Sequence, residues 1–361
     1  MISSPLTSQE LRTRIKAGEA LVDLDLRGLA CERGDYAGAI LMRCDLRGLD
    51  VGGCDWRDSQ FIQCDLRGSI WDDAILDQCV FHDCNAGQAR MRAKRISDMT
   101  WSLCQAPGLD LSQVLLERCT FTRTDLSGAL FVNTNARDVT FAQCAWGEAD
   151  FTDYTQYRGL FYQADLRAAT LQGIAWDGVA CIETDMSGQS LAQRELVRCQ
   201  LTDCLLDNVD LTGADLTQTG FKGASLRQAK LGAARAGRTI FAHADLTGAV
   251  AAGGYFEQSL WSDARLEHAD LRGADLTQGI FHRARCAQAS FNRTILTYTD
   301  FSYADLQRAD MRGAKFDRTR CHRALTGETR WDSRIGIIEN DPELFAAERW
   351  SAGRRPLTKE G

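Results

Sequence analysis

Large apolar side chains recur at every fifth residue along nearly the whole chain. Leu21, Leu26, Leu41, Leu46, Phe61, Leu66 and Trp71 begin the series, and Leu296, Phe301, Leu306, Met311 and Phe316 come near its end. Positions 21 to 331 contain 63 such central sites, of which only Gln156 and Thr326 are clearly polar. The phase never slips. A helix repeats near 3.6 residues and a half-buried strand at 2, so neither produces this pattern alone. A strict short repeat held this long predicts a solenoid, in which each turn of chain stacks on the one before it.

A second periodicity runs beside the first. Two residues upstream of the central site, small side chains dominate, as at Ala164, Ala214, Ala244, Ala269, Ala304, Thr124 and Thr294. Aspartate often precedes the central residue (Asp45, Asp125, Asp215), and glycine often follows two residues after it (Gly48, Gly128, Gly273). The consensus is A-D-L-x-G. ADLTQ at 214–218, ADLTG at 244–248, ADLRG at 269–273, ADLTQ at 274–278 and ADLQR at 304–308 resemble the pentapeptide repeat family. The resemblance implies an all-β solenoid: a right-handed quadrilateral β-helix with one pentapeptide per side and four per coil. Phenylalanine supports the twenty-residue coil independently. It fills fourteen central sites, and nine of these (Phe61, Phe81, Phe121, Phe141, Phe161, Phe221, Phe241, Phe281 and Phe301) are spaced by multiples of twenty. About sixteen coils at about 4.8 Å each would make a rod of roughly 75 Å.

The repeat divides the chain into residues 1–20, a β-helix over 21–335, and 336–361. Thr7 and Glu10 fit a capping box ahead of a short helix from about Ser8 to Ala17, stopped by Gly18. At the other end Asp341 suits the cap of a helix with Pro342 in its first turn, carrying Leu344, Phe345 and Trp350. Both helices are expected to plug the open ends of the tube, and the tail after Gly353 is expected to be mobile.

Composition narrows the function classes. The chain is 44% apolar and 25% charged, with a net charge of −7, which favours solubility and argues against direct nucleic-acid binding. No run of apolar residues is long enough for a membrane span, and no secretory signal pattern opens the sequence. Fourteen cysteines without such a signal point to free thiols in a reducing, cytoplasmic setting. Ten occupy the small inward site and four (Cys31, Cys181, Cys286 and Cys321) occupy central sites, so all are expected inside the tube as small hydrophobes. The run QCVFHDCN (78–85) brings two cysteines and a histidine close in sequence. Cys79 and Cys84 point inward in this register and His82 outward, so the three cannot meet on one metal. Cys44, Cys64, Cys84 and Cys104 should form a ladder of thiols in successive coils.

No catalytic pattern stands out. The five histidines follow central sites by one or two positions and are expected outside. No phosphate-binding loop and no H-E-x-x-H pair occurs. The expectation is a protein without enzymatic activity, cofactor or metal. Breaks in the repeat are more informative. Lys94 and Arg194 put long cations in the small inward site, Gln189 puts an amide there, and Gln156 replaces a central hydrophobe. Lys94, Gln156 and Arg194 fall on one of the four sides. Near them DYTQYRGLFY (153–162) carries Tyr154, Tyr157 and Tyr162, of which Tyr157 and Tyr162 should be exposed. Local bulges and outturned side chains are one account of this cluster, and a protein-contact face is the other. The basic run RMRAKR (90–95) is a second candidate, with a solvated charge run as its plainer account.

A protein-binding scaffold fits these features first. The opening ELRTRIKAGEALVDLDLRGL (10–29) resembles pentapeptide proteins associated with bacterial type VI secretion, which implies a role in assembling the secretion spike or loading its effectors. The alternative is DNA mimicry. Some pentapeptide proteins imitate duplex DNA and bind DNA gyrase, a topoisomerase, often as dimers joined at their C-terminal ends. The aspartates here count against it, because arginine follows many of them at once: Asp25 and Arg27, Asp45 and Arg47, Asp65 and Arg67, Asp165 and Arg167, Asp270 and Arg272, Asp310 and Arg312. Paired charges cancel beyond about 8–10 Å.

Overall fold

The computed structural model describes residues 6–352; the tail after Gly353 lies outside the described residues. The chain divides into two compact units, Met1–Asp210 and Leu211–Gly361. Each is a parallel β-helix with a twenty-residue turn, and the chain makes about sixteen turns in all. The register is exact within each unit. Leu21 pairs with Leu41, Leu41 with Phe61 and Phe61 with Phe81 in the first. Ile240 bridges Leu260, and Leu260 bridges Ile280, in the second.

The pentapeptide maps directly onto this path. Central residues and the small residues two before them point inward and are almost all buried, while the residues between them face solvent. Two residues after the central site the chain turns a corner in the left-handed region, with φ of 63° at Gly48, 52° at Gln63 and 60° at Gln278. Glycine takes this conformation without a Cβ clash, which accounts for the final G of the consensus. The corner also leaves the carbonyl of a central residue aimed at the small inward residue twenty-three positions later. Threonine and cysteine satisfy it there. Thr134 Oγ1 donates to Leu111 O at 2.7 Å, and Cys79 Sγ to Trp56 O at 3.0 Å.

Rings stack where the twenty-residue phenylalanine spacing predicts. Phe61 and Phe81 lie 4.8 Å apart in the first unit, and Phe221 and Phe241 5.2 Å apart in the second, with interplanar angles of 6° and 3°. Offset aromatic contact adds to the burial of each ring. The fourteen cysteines are all free; thirteen are buried and Cys31 is half-buried. In the Cys44–Cys104 ladder each thiol bonds to backbone carbonyl, as in Cys84 Sγ to Phe61 O at 3.2 Å. His82 turns outward to Ser102 Oγ at 2.8 Å, so QCVFHDCN gathers no metal ligands.

The two helices do different jobs. Helix α1 (Ser8–Lys16) opens on the expected capping box, with Thr7 and Glu10 each bonded to the other's backbone N–H. It buries Leu11 and Ile15, and Ser8 Oγ reaches Tyr36 Oη at 2.6 Å, so the first turn is covered. Helix α2 (Pro342–Ala352) is capped by Asp341, whose Oδ1 accepts the N–H groups of Glu343 and Leu344 at 3.1 Å. It does not plug the tube. Its bonds go to outward-facing residues: Glu348 accepts from Arg323 at 2.6 Å and Tyr303 Oη, and Phe345 meets the His322 ring edge-on at 5.1 Å. Trp350 stays 64% exposed. The expectation that every histidine lies outside therefore fails at His322. Its position faces outward from the coil, but α2 lies over it and leaves it 0% exposed. A 160 Å³ pocket at the last turn is lined by Cys321, Ala324, Thr326 and Trp331 together with Ile337, Glu339 and Asn340 of the segment that follows. Among the described residues no helix is long and apolar enough to cross a membrane.

Candidate functional site

Three of the breaks, Lys94, Gln156 and Arg194, lie along one side of the first unit. There the strands Leu115–Glu117, Asn135–Ala142, Thr155–Tyr162, Ala175–Ile182 and Glu195–Val197 pair in parallel. Two outward rows of side chains border a shallow groove of about 520 Å³, with Ala136, Gln156 and Trp176 as its floor. Lys94 and Arg194 lie on this same side, Lys94 two turns before the middle strands and Arg194 one turn after them.

Gln156 and Tyr154 are buried inside the coil. Gln156 is 2% exposed and Tyr154 0%. They form an internal network instead. The Tyr154 hydroxyl donates to Gln156 Oε1 at 2.6 Å, and Gln156 Nε2 donates to the carbonyls of Val139 (2.9 Å) and Arg158 (3.0 Å). Burial pushes the Tyr154 phenol well above its ordinary pKa, which keeps it a donor. Gly159 makes room for the amide. Its φ is 122°, and a Cβ there would stand 2.2 Å from both Gln156 Nε2 and Val139 O. Gln189 has a comparable internal role: its Nε2 donates to Leu166 O at 2.7 Å, the carbonyl that a threonine or cysteine would serve from this site.

The outward candidates present a different surface. Tyr157 is 45% exposed beside the groove, and Tyr162 is half-buried on the adjoining side. Two guanidinium groups, of Arg158 and Arg137, lie over the Tyr157 ring at 4.9 and 5.7 Å from its centre, fixing it in place. Lys94 is exposed, so its side chain has turned out of the inward site; Arg194 is half-buried. Arg137, Lys94 and Arg194 have no ion-pair partner among the described residues, whereas Arg158 is paired with Asp138. The other cations of RMRAKR are mostly neutralised: Arg90 by Asp72, Arg92 by Asp110 and Arg95 by Glu117. Asp177 pairs with Arg198 through Oδ2, but its buried Oδ1 has no hydrogen-bond partner. Arg137, Gly159 and Asp177 were not marked by the repeat. Arg137 and Asp177 follow central residues, where any polar residue fits, and Gly159 replaces one small inward residue by another.

The Asp–Arg pairs foreseen in the sequence all form. Arg27, Arg47, Arg67, Arg167, Arg272 and Arg312 each grip the aspartate two residues earlier, with N–O distances of 2.6–2.7 Å. Each aspartate also accepts the backbone N–H of its arginine at 3.0–3.2 Å. The side-chain bond from arginine lowers each carboxyl, Asp25 to about 2. Among the described residues no cluster of His, Cys, Asp or Glu suits a metal ion.

A family model described as a pentapeptide repeat region matches residues 54–131, and one described as pentapeptide repeats (8 copies) matches 195–232, 239–278 and 280–318. Together they cover more than half of the chain. The chain belongs to the pentapeptide repeat family. No curated protein matches it significantly. Among solved structures, this pentapeptide repeat protein is similar to HetL, a pentapeptide repeat protein involved in heterocyst differentiation regulation from the cyanobacterium Nostoc sp. strain PCC 7120. Identity is 20%, covering 65% of this chain and 92% of that one, with a TM-score of 0.25. It is also similar to full-length QnrB1, a plasmid-mediated fluoroquinolone resistance protein (14% identity, 74% and 91% covered, TM-score 0.16). A third match is AT2G44920, a pentapeptide repeat protein from the Arabidopsis thaliana thylakoid lumen (24% identity, 30% and 65% covered, TM-score 0.13).

Proposed function

We propose that this pentapeptide repeat protein is a non-enzymatic scaffold that binds other proteins in the cytoplasm, and that the groove beside Tyr157 is its docking surface. The carrying observation is Tyr157: a half-exposed aromatic ring, held by two guanidinium groups at the edge of a concave side. Rigid amphipathic rings of this kind lose little entropy on binding and are frequent hot spots. Exposed Lys94, half-buried Arg194 and half-buried Tyr162 extend the surface. Within the scaffold reading, the opening segment 10–29 favours an accessory role in type VI secretion, with a spike or effector protein as partner. The DNA-mimic reading, with DNA gyrase as partner, draws support from the net charge of −7. It is weakened by the six Asp–Arg pairs, which leave those aspartates without an outward field.

Affinity capture from a native bacterial lysate, with the wild-type chain and Tyr157→Ala in parallel, separates these readings. Secretion spike or effector proteins lost from the variant support the scaffold. Gyrase retained by both chains supports mimicry and moves the site away from the groove.

A further inference from the structure

We infer that a second copy of this chain docks face to face on the side of the first unit next to the groove, with the two copies antiparallel. On that side ten three-residue levels, from Ala20–Val22 to Gln200–Thr202, pair in parallel at intervals of twenty residues. The first and third residues of each level point outward, and none of these twenty is buried. None is Asp, Glu, Lys or Arg. The equivalent twenty positions on the next side, from Asp25 and Arg27 to Leu205 and Asp207, include eleven such residues. Strand structure does not require the difference, since the strands bordering the groove carry Glu117, Arg137, Asp177 and Glu195. The centre of a protein interface is depleted of charge, because each charge there must be stripped of water.

The order of residues along this side selects the partner. Hydroxyls occupy the middle, at Thr100, Ser102, Thr120 and Thr122. Large apolar side chains flank them, Ile40, Met42 and Ile62 towards one end and Leu160, Tyr162 and Ile182 towards the other. A surface that reads alike from both ends is self-complementary, as a two-fold interface requires. Full overlap of two antiparallel copies sets level 20–22 against 200–202, and level 100–102 against 120–122. Met42 then meets Ile182, Ile62 meets Tyr162, and Thr100 meets Thr120. The corner residues at the rim agree with this order. Arg43 faces Glu183, Asp58 faces Arg158 and Asp98 faces Arg118, against one like-charged pair, Asp23 and Asp203. Parallel copies would instead set Arg118 against Arg123 near the centre and gain one opposite pair, Arg198 with Asp203. From the first level to the tenth, at about 4.8 Å per turn, the side is about 43 Å long, and five residues of about 3.3 Å make it at most about 16 Å wide. The product, roughly 700 Å² per copy, approaches the roughly 800 Å² per partner of a specific interface.

The test is sedimentation velocity of the full-length chain over about 1–100 µM, where a monomer–dimer equilibrium is expected. Thr120→Arg puts an unpaired charge near the centre twice per dimer and should weaken it about tenfold or more. Thr170→Arg, at an exposed position on another side, should leave the dimer unchanged. Circular dichroism of each variant verifies that the fold is intact. Orientation is read by replacing Tyr162 with the photo-crosslinking residue p-benzoylphenylalanine. Antiparallel copies join it to the peptide around Ile62, which within one copy is five turns, or about 24 Å, out of its reach. The groove beside Tyr157 lies on the neighbouring side, so Tyr157→Ala should leave the dimer unchanged, and the two readings fail separately. A wild-type chain that stays monomeric, or a dimer that Thr120→Arg leaves intact, would overturn the inference. Dimers crosslinked between levels 160–162 of both copies would overturn the antiparallel order. A monomeric chain whose crosslinker captures a different protein in cells would assign this side to that protein and overturn self-association.

Discussion

The buried pair Tyr154 and Gln156 allows a sharp test of why the repeat breaks there. Replacing Gln156 by leucine restores the consensus hydrophobe at nearly constant volume. On a purely hydrophobic reading it should stabilise, since a fully buried leucine contributes about 1.5–3 kcal/mol. The structure opposes this. Gln156→Leu removes two donors to backbone carbonyls and leaves the Tyr154 hydroxyl, at 0% exposure, without its acceptor. A buried polar group stripped of its partner costs about 1–3 kcal/mol. With at least two such groups left behind, the loss exceeds the gain, and a net destabilisation of about 1–3 kcal/mol is expected. Tyr154→Phe alone orphans Gln156 Oε1 and should cost about 1–2 kcal/mol. The double variant removes both partners of the shared bond, so its cost should fall short of the sum by about 1–2 kcal/mol. Urea unfolding of the four proteins measures this as shifts in midpoint at constant slope. A Gln156→Leu chain as stable as wild type, or single effects that add within about 0.5 kcal/mol, would refute the network as the reason for the break.

Further outcomes follow from other parts of the molecule. Iodoacetamide labelling followed by mass analysis should find fourteen free thiols in denaturant; in the native protein Cys31 should react first, and slowly, because burial holds its thiol up at about 11. Buried Cys79 and Cys119, pushed up by burial to about 12, should stay unlabelled. The Asp–Arg pairs have carboxyl pKa values below those of the unfolded chain, so their stabilisation is full above the ordinary carboxylate range near pH 4 and is lost as pH falls through the folded values, about 2 for Asp25. The urea midpoint should therefore fall from pH 5 to pH 2, and carbon-13 NMR titration of Arg272→Gln should show the Asp270 carboxyl returning upward. Ending the chain at residue 340 removes α2 and should make His322 accessible, read as a gain of one histidine modified by diethylpyrocarbonate.

The five-residue period determined the greater part of the fold by itself. A corner every five residues forces each central residue and the small one before it inward, whatever their neighbours. Burial at Phe61, Cys84 or Leu276 was therefore legible without coordinates, as were the stacked rings, the free thiols and the local Asp–Arg pairs. Those features depend on contacts either two residues apart or one whole turn apart, and the repeat defines both distances. The tertiary structure decided what the repeat leaves undetermined. Whether Gln156 faces a partner or the core depended on the carbonyls of Val139 and Arg158 and on the missing Cβ of Gly159, three positions the consensus does not mark. Tyr157 is packed under two guanidinium groups, Arg137 a turn below and Arg158 beside it. His322 is outward by register and buried in fact, because a helix from outside the repeat lies over it. A local period specifies which way a side chain points; what it then meets depends on the neighbouring turns and on segments outside the repeat.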